Sequence, residues 1–239
     1  MPIVNKIIGS YLSGRHREID NFRKNPAQVQ RQQLDYLLNT AAATEFGRNH
    51  NRHLVKSVED FQRAVGVTDY EDFHELIMQA KAGGKDLIWP GTIKWFAKSS
   101  GTTGSKSKYI PVSNQGLQQS HMKRPRDVVA FFTRLYPDSN VFAGKTLTLG
   151  GRKRIEPGGE TALSGDRSAI LIENTPWYAQ KRRVPSVEAA LIPDFEEKVR
   201  RVCEETIGQK VSNFAGVPSW NLVMLNKILD YTGKSNILE

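Results

Sequence analysis

Cysteine is nearly absent: Cys203 is the only one in 239 residues. A single thiol excludes an intrachain disulfide framework and a multi-cysteine zinc site, and it fits a reducing compartment, here the cytoplasm. Long apolar runs are missing as well. No stretch approaches the ~18 residues that a membrane helix requires, so no membrane partner is expected. The opening, MPIVNKIIGSYLSGRHREID, has only short apolar patches and no small-residue cleavage site, which argues against a secretory signal. Neither internal repeats nor low-complexity tracts are visible. Acidic residues are the minority charge, 25 Asp and Glu against 34 Lys and Arg, which leaves +9. A basic surplus suits nucleic acid, an anionic membrane or a small anionic substrate. Here it is scattered. The tightest groups, Arg152-Lys153-Arg154 and Lys181-Arg182-Arg183, lie in no run of like charge with interleaved aromatics. A solvated basic surface is the simpler reading, and no nucleic-acid partner is expected.

What is present is enough for a packed core without staples, since hydrophobic residues make up 38% of the chain. Two textures divide it. Residues 1–88 read as a helical N-terminal region. Pro26 opens a helix with Val29, Leu34, Leu37, Leu38 and Ala41 at helical spacing. Ser57 and Asp60 form an N-cap with an acidic first turn. Tyr70, Phe73, Leu76, Ile77 and Ala80 share one face, and Gly83-Gly84 stops that helix. Residues 89–239 read as a mixed α/β region. Its strand candidates are 93–97, 109–110, 147–149, 169–172 and 211–214. Its helices are 113–135, kinked or split at Pro125, then 193–207, and 218–232 with Trp220, Val223, Met224, Ile228, Leu229 and Tyr231 on one face. A glycine-rich connection runs from Gly150 to Gly165. The last residues begin a new apolar segment just after a helix ends, which reads as a truncation.

One stretch carries chemistry. Residues 97–111 read AKSSGTTGSKSKYIP, with Ser99, Ser100, Thr102 and Thr103 set among Gly101 and Gly104, and Lys106 and Lys108 following. Glycine admits positive φ and close approach, so successive N–H groups can converge on phosphate oxygens. Hydroxyls add donors, and each lysine can add a charged hydrogen bond worth about 1.5–3 kcal/mol. The Walker A pattern needs lysine directly after its second glycine and another glycine five positions earlier. Ser105 separates Gly104 from Lys106, and the position five before Gly104 is Ser99. A strand follows the loop where a Walker loop would open a helix. A P-loop NTPase is therefore disfavoured, and a ligand-free Ser/Gly hairpin turn is the plain alternative.

The stretch resembles the phosphate loop of adenylate-forming enzymes. Ser99-Ser100-Gly101-Thr102-Thr103 with Lys108 and Pro111 is similar, without a gap, to the version carried by the Gretchen Hagen (auxin-responsive) acyl acid amido synthetases. Gly216-Val217-Pro218-Ser219-Trp220, followed by an apolar helix, resembles that family's segment beside the acyl pocket, although an ordinary helix start with a core Trp explains it nearly as well. The acidic-aromatic helix Tyr70-Glu71-Asp72-Phe73 agrees too.

The resemblance implies the N-terminal part of such a synthetase: helices first, then part of the large adenylate-forming domain. It implies a carboxylic acid activated with ATP and magnesium to an acyl-adenylate, then joined to an amine or amino acid, with no enzyme nucleophile. Ser99, Ser100, Gly101, Thr102, Thr103, Gly104 and Lys108 would hold the phosphates, and Val217, Pro218 and Arg124 would face the acyl substrate. A solvent-facing role is the simpler reading of Arg124 and Arg126 from the residues alone. The family's later Tyr-x-x-Ser-Glu-type segment, which supplies a carboxylate to magnesium, is absent from these residues. A non-catalytic nucleotide-binding or interaction module stays open as the alternative. His50 and His53 lack a third ligand at diagnostic spacing and read as loop histidines, and Cys203 reads as packing.

Overall fold

Helix ends fall where short polar side chains, proline and glycine can satisfy them. The computed structural model describes residues 3–50, 55–99, 108–151, 153–154 and 162–237. Five helices come first: α1 Ile3–Lys24, α2 Pro26–Ala41, α3 Glu45–Asn49, α4 Val58–Ala64 and α5 Tyr70–Lys81. Strands β1 Trp95–Lys98 and β2 Tyr109–Val112 precede α6 Asn114–Gly116, a π-helical turn Leu117–His121 and α7 Lys123–Leu135. Then come β3 Lys145–Thr148, β4 Lys153–Arg154, β5 Leu163–Gly165, α8 Arg167–Glu173 and α9 Trp177–Gln180. The chain continues with β6 Arg183–Val184, α10 Val187–Ala190, α11 Phe195–Thr206, β7 Val211–Ala215 and α12 Pro218–Thr232.

Two compact units divide these elements. One comprises Gly14–Lys123 and Arg154–Ser164. Its cap chemistry is dense, because short polar side chains accept the first orphan amides of α3, α4, α5 and α6. Thr44 accepts from Gly47 N at 3.1 Å, and Ser57 from Asp60 N at 3.0 Å. At α5, Asp69 and Asp72 form a reciprocal capping box. The far end of α5 stops at Gly83, where φ is 98°. The helix buries Ile77 and Ala80 against Ile93, Phe96 and Ala162. The adjoining sheet has the order β2-β1-β5-β4, so β2 is an edge.

The other unit comprises Met1–Ser13, Arg124–Lys153 and Gly165–Glu239. Its sheet, in the order β6-β3-β7, is parallel throughout. Leu147 and Val184, opposite each other on β3 and β6, pack with Val199, Val202, Cys203 and Met224. Alternation along β6 sends Arg183, one residue earlier, to the opposite face beside Thr146.

Four sequence expectations change. Residues 169–172 are not a strand: they form α8, with Ala169 and Ile172 packed on Ala190 and Leu191. A short apolar run does not separate a buried strand from a buried helix, and here tertiary contacts decided. Helix 113–135 is split, but by the π-helical turn ending at Met122, while Pro125 sits within the first turn of α7, where its missing N–H costs nothing. The Gly150–Gly165 connection is not wholly irregular, since it holds β4 and β5. On α12 only Met224 is buried; Trp220 and Tyr231 stay more than half exposed.

Candidate functional site

The hairpin of β1 and β2 brings together the two flanks of the hydroxyl- and glycine-rich stretch. Its antiparallel register pairs Trp95 with Val112, Phe96 with Pro111, Ala97 with Ile110 and Lys98 with Tyr109. Beyond the last pair, Ser99 N–H donates to the Lys108 carbonyl at 2.9 Å, and the Lys108 amide donates to Ser99 Oγ at 3.1 Å. Antiparallel ladders alternate bonded and non-bonded pairs, so the next pair, Lys98 and Tyr109, turns its Tyr109 amide outward from β1. Pro111 occupies the next outward-facing position, which tolerates the loss of an N–H on an edge strand. The outward Tyr109 amide does have a partner: it donates to Tyr70 Oη at 3.0 Å.

Tyr70 is the first residue of α5 and is fixed there by the capping box. The Lys108 ammonium lies 4.9 Å from its ring centroid. Around the neighbouring Tyr109 ring sit two more ammoniums, Lys81 at 3.9 Å and Lys98 at 5.7 Å. Three like charges gathered on two aromatic faces create a positive potential at the hairpin. The donor set fits an anion. Beside it lies an open apolar depression of about 240 Å³, lined by Tyr70, Phe73 and Ile77 of α5 and by Tyr109, Ile110 and Pro111 of β2. Its volume is below the ~300–1,000 Å³ of small-molecule pockets, so it is not assigned as the acyl pocket.

Of the residues expected at the phosphate loop, Ser99 and Lys108 are described; Ser100, Gly101, Thr102, Thr103 and Gly104 lie outside the described residues. Lys108 is exposed, while the Ser99 hydroxyl is engaged in closing the hairpin. Val217 precedes α12 as its cap residue, Pro218 is in its first turn, and both are exposed. Arg124 is exposed on α7. Ser99 and Lys108 belong to one compact unit, whereas Arg124, Val217 and Pro218 belong to the other. His50 stacks on Phe46 with 4.1 Å between ring centroids, and His53 lies outside the described residues. Among the described residues no group of three His, Cys, Asp or Glu could hold a metal. Cys203 is buried in the core, where desolvation raises its thiol pKa.

Tyr70 stands in the acidic-aromatic segment and Lys98 and Tyr109 in the hydroxyl-rich stretch read from the sequence, but their meeting around Lys108, and the presence of Lys81 there, were not legible. Tyr70 is 39 residues from Tyr109 in the chain, and no local pattern links them. Lys81 carried no signal in its position.

A family model described as the GH3 family N-terminal domain matches residues 15–238. The chain belongs to the GH3 family. Over 102 residues it is 32% identical to indole-3-acetic acid-amido synthetase GH3.5 and 31% identical to indole-3-acetic acid-amido synthetase GH3.15, both of Arabidopsis thaliana. Each match covers 42% of this chain and 17% of the relative. The solved GH3.15 acyl acid amido synthetase superposes with a TM-score of 0.71 at 20% identity, covering 90% of this chain and 38% of that one. The AtGH3.15 synthetase in complex with 2,4-DB gives 0.66 at 22% identity, covering 85% and 36%. At these identities the likeness establishes the shared mixed helical and sheet fold. This GH3 chain therefore corresponds to little more than a third of the length of those solved structures. No helix among its described residues is long and apolar enough to cross a membrane.

Proposed function

We propose that this GH3 chain holds the phosphates of ATP at the β1–β2 hairpin, as part of an acyl-adenylate-forming amide synthetase. The observation that carries the reading is the exposed Lys108 ammonium beside a cluster of lysines, at the end of a hairpin whose intervening residues 100–107 are rich in glycine and hydroxyls. Family membership supplies the reaction class. ATP would activate a small carboxylic acid as its adenylate with release of pyrophosphate, and an amine or amino acid would then displace AMP to form the amide.

The protein's task in that scheme is to position two anions that repel each other and to offset charge on the departing pyrophosphate. Gly101, Thr102 and Thr103 are assigned to the β- and γ-phosphates through N–H and hydroxyl donors, with Ser99, Ser100 and Gly104 at the border and Lys108 supplying charge. Magnesium would be held mainly by phosphate oxygens. Val217, Pro218 and Arg124 are the candidates for contact with the acyl substrate. The work proceeds in the cytoplasm, on small molecules, without a nucleic-acid or membrane partner.

Calorimetric titration of the 239-residue chain with Mg·ATP and with pyrophosphate tests the reading. Binding of both is expected, weakened roughly tenfold or more by Lys108→Ala, given about 1.5–3 kcal/mol for a charged hydrogen bond. A chain that binds neither overturns it. Because the chain matches only part of its relatives' length, nucleotide binding without catalysis is the second reading. Incubation with ATP and a panel of carboxylic acids, followed by mass spectrometry for adenylates, separates the two.

A further inference from the structure

Lys108 sits on a long flexible stem, and an exposed lysine of that kind ordinarily surrenders several rotatable bonds when it grips an anion. Here its ammonium already has a place. Among the described residues it makes no ion pair, and it lies over the Tyr70 ring, 4.9 Å from the centroid. The same tyrosine accepts the Tyr109 amide through its hydroxyl at 3.0 Å. One side chain thus holds two consecutive residues of the hairpin, the backbone of one and the charge of the other. Tyr70 is itself immobilised. It opens α5 directly after Asp69, whose carboxylate accepts from the Glu71 and Asp72 amides, and His74 packs edge-on against its ring at 5.9 Å.

We propose that Tyr70 is a positioning residue for Lys108: its hydroxyl sets the start of β2 and its ring holds the ammonium in place beside that strand for an anion. The proposal rests on the hairpin being an anion site. It says that α5, an element with no recognisable phosphate motif, sets the strength of phosphate binding by removing freedom from one lysine.

Inorganic pyrophosphate is the probe, titrated by calorimetry into the 239-residue chain and its Tyr70→Leu, Tyr70→Phe, Lys108→Ala and doubly substituted Tyr70→Leu/Lys108→Ala forms. Tyr70→Leu is expected to weaken binding about two- to fivefold, the scale of an exposed cation–ring contact, and Tyr70→Phe less. In the Lys108→Ala background Tyr70→Leu is expected to add nothing, because its effect runs through the lysine. An equal loss in both backgrounds means a purely structural tyrosine and overturns the proposal while leaving the anion site intact. Wild-type chain that binds no pyrophosphate overturns the anion site and this proposal together. NMR of lysine-labelled wild-type protein needs no substituted tyrosine: the Lys108 Hε resonance, assigned by its loss in Lys108→Arg, is expected upfield from the ring current. An unshifted resonance overturns the proposal.

Discussion

Ser99 and Lys108 close the β1–β2 hairpin on each other, the Ser99 amide donating to the Lys108 carbonyl at 2.9 Å and the Ser99 hydroxyl accepting from the Lys108 amide at 3.1 Å. The second contact makes the hydroxyl a substitute for the next rung of the ladder. Ser99→Ala removes that acceptor at a site open to water, so the cost is expected near the low end for a hydrogen bond, about 0.5 kcal/mol. The urea midpoint of the chain measures it, and Ser99→Thr, which keeps the hydroxyl, should recover most of the loss. An unchanged midpoint in Ser99→Ala means that the contact contributes nothing to folding.

Arg183 is 8% exposed, and among the described residues its Nε, Nη1 and Nη2 atoms find no hydrogen-bond partner. Burial lowers its pKa, opposed by the nearby Glu188 carboxylate. A desolvated charge without hydrogen bonds destabilises a fold, and apolar replacements of buried charges are often neutral or stabilising. Arg183→Met keeps an unbranched stem without the charge and is expected to raise stability by about 1 kcal/mol, a Tm increase of about 2–4 °C for a chain of this size. A lower Tm in a differential scanning experiment counts against this account.

At the start of α4, the Asp60 carboxylate accepts from the Lys56 amide at 3.1 Å and from Arg63. Both bonds favour the ionised form, the backbone amide most, so the Asp60 pKa lies below its ordinary 3.8. A carboxyl whose pKa is depressed by folding adds stability above its unfolded pKa and loses it as pH falls through the folded value. Between pH 6 and pH 2 the wild-type urea midpoint should therefore fall more steeply than that of Asp60→Asn, with the difference confined to the region below about pH 4. Parallel curves would remove Asp60 from the acid response.

Cys203 is fully buried among Leu147, Val199 and Val202, and desolvation, with a smaller contribution from Glu204, raises its pKa above the ordinary 9.0. The thiol is thus protonated at neutral pH, and this group's contribution to stability is lost only as pH rises above the unfolded pKa. Iodoacetamide at pH 8 should leave the native chain unmodified and label it promptly in denaturant, as followed by mass spectrometry. Fast labelling of the native chain would show that α11 opens readily.

Local signals were the most legible. Pro26, Ser57 and Gly83 each act through their own local chemistry, and each marks a helix end in the fold as its neighbours predict. The hairpin around the hydroxyl-rich stretch was legible too, because β-rich segments flank it on both sides. Residues 169–172 were misread because four apolar side chains in a row carry no period, and only the packing on Ala190 and Leu191 distinguishes α8 from a strand. Pro125 was given the break that belongs to the π-helical turn, since a proline near a helix start is harmless and a widened turn leaves no trace in residue type.

By itself, the order of residues determined the family resemblance, the hydroxyl- and glycine-rich pattern from Ser99 to Pro111 and the position of most helices and strands, because all of these depend on neighbours within a few bonds. The tertiary structure decided which side chains attend Lys108 and Tyr109 on the β1–β2 hairpin. Tyr70 reaches Lys108 and Tyr109, and Lys81 reaches the Tyr109 ring, only because α5 packs beside β2. It also decided that Arg183 would be buried, since the alternation of β6 had to spend one face on Val184 and the hydrophobic core. Hydrogen bonds and ring contacts act over a few ångströms of space, and distance along the chain does not enter them.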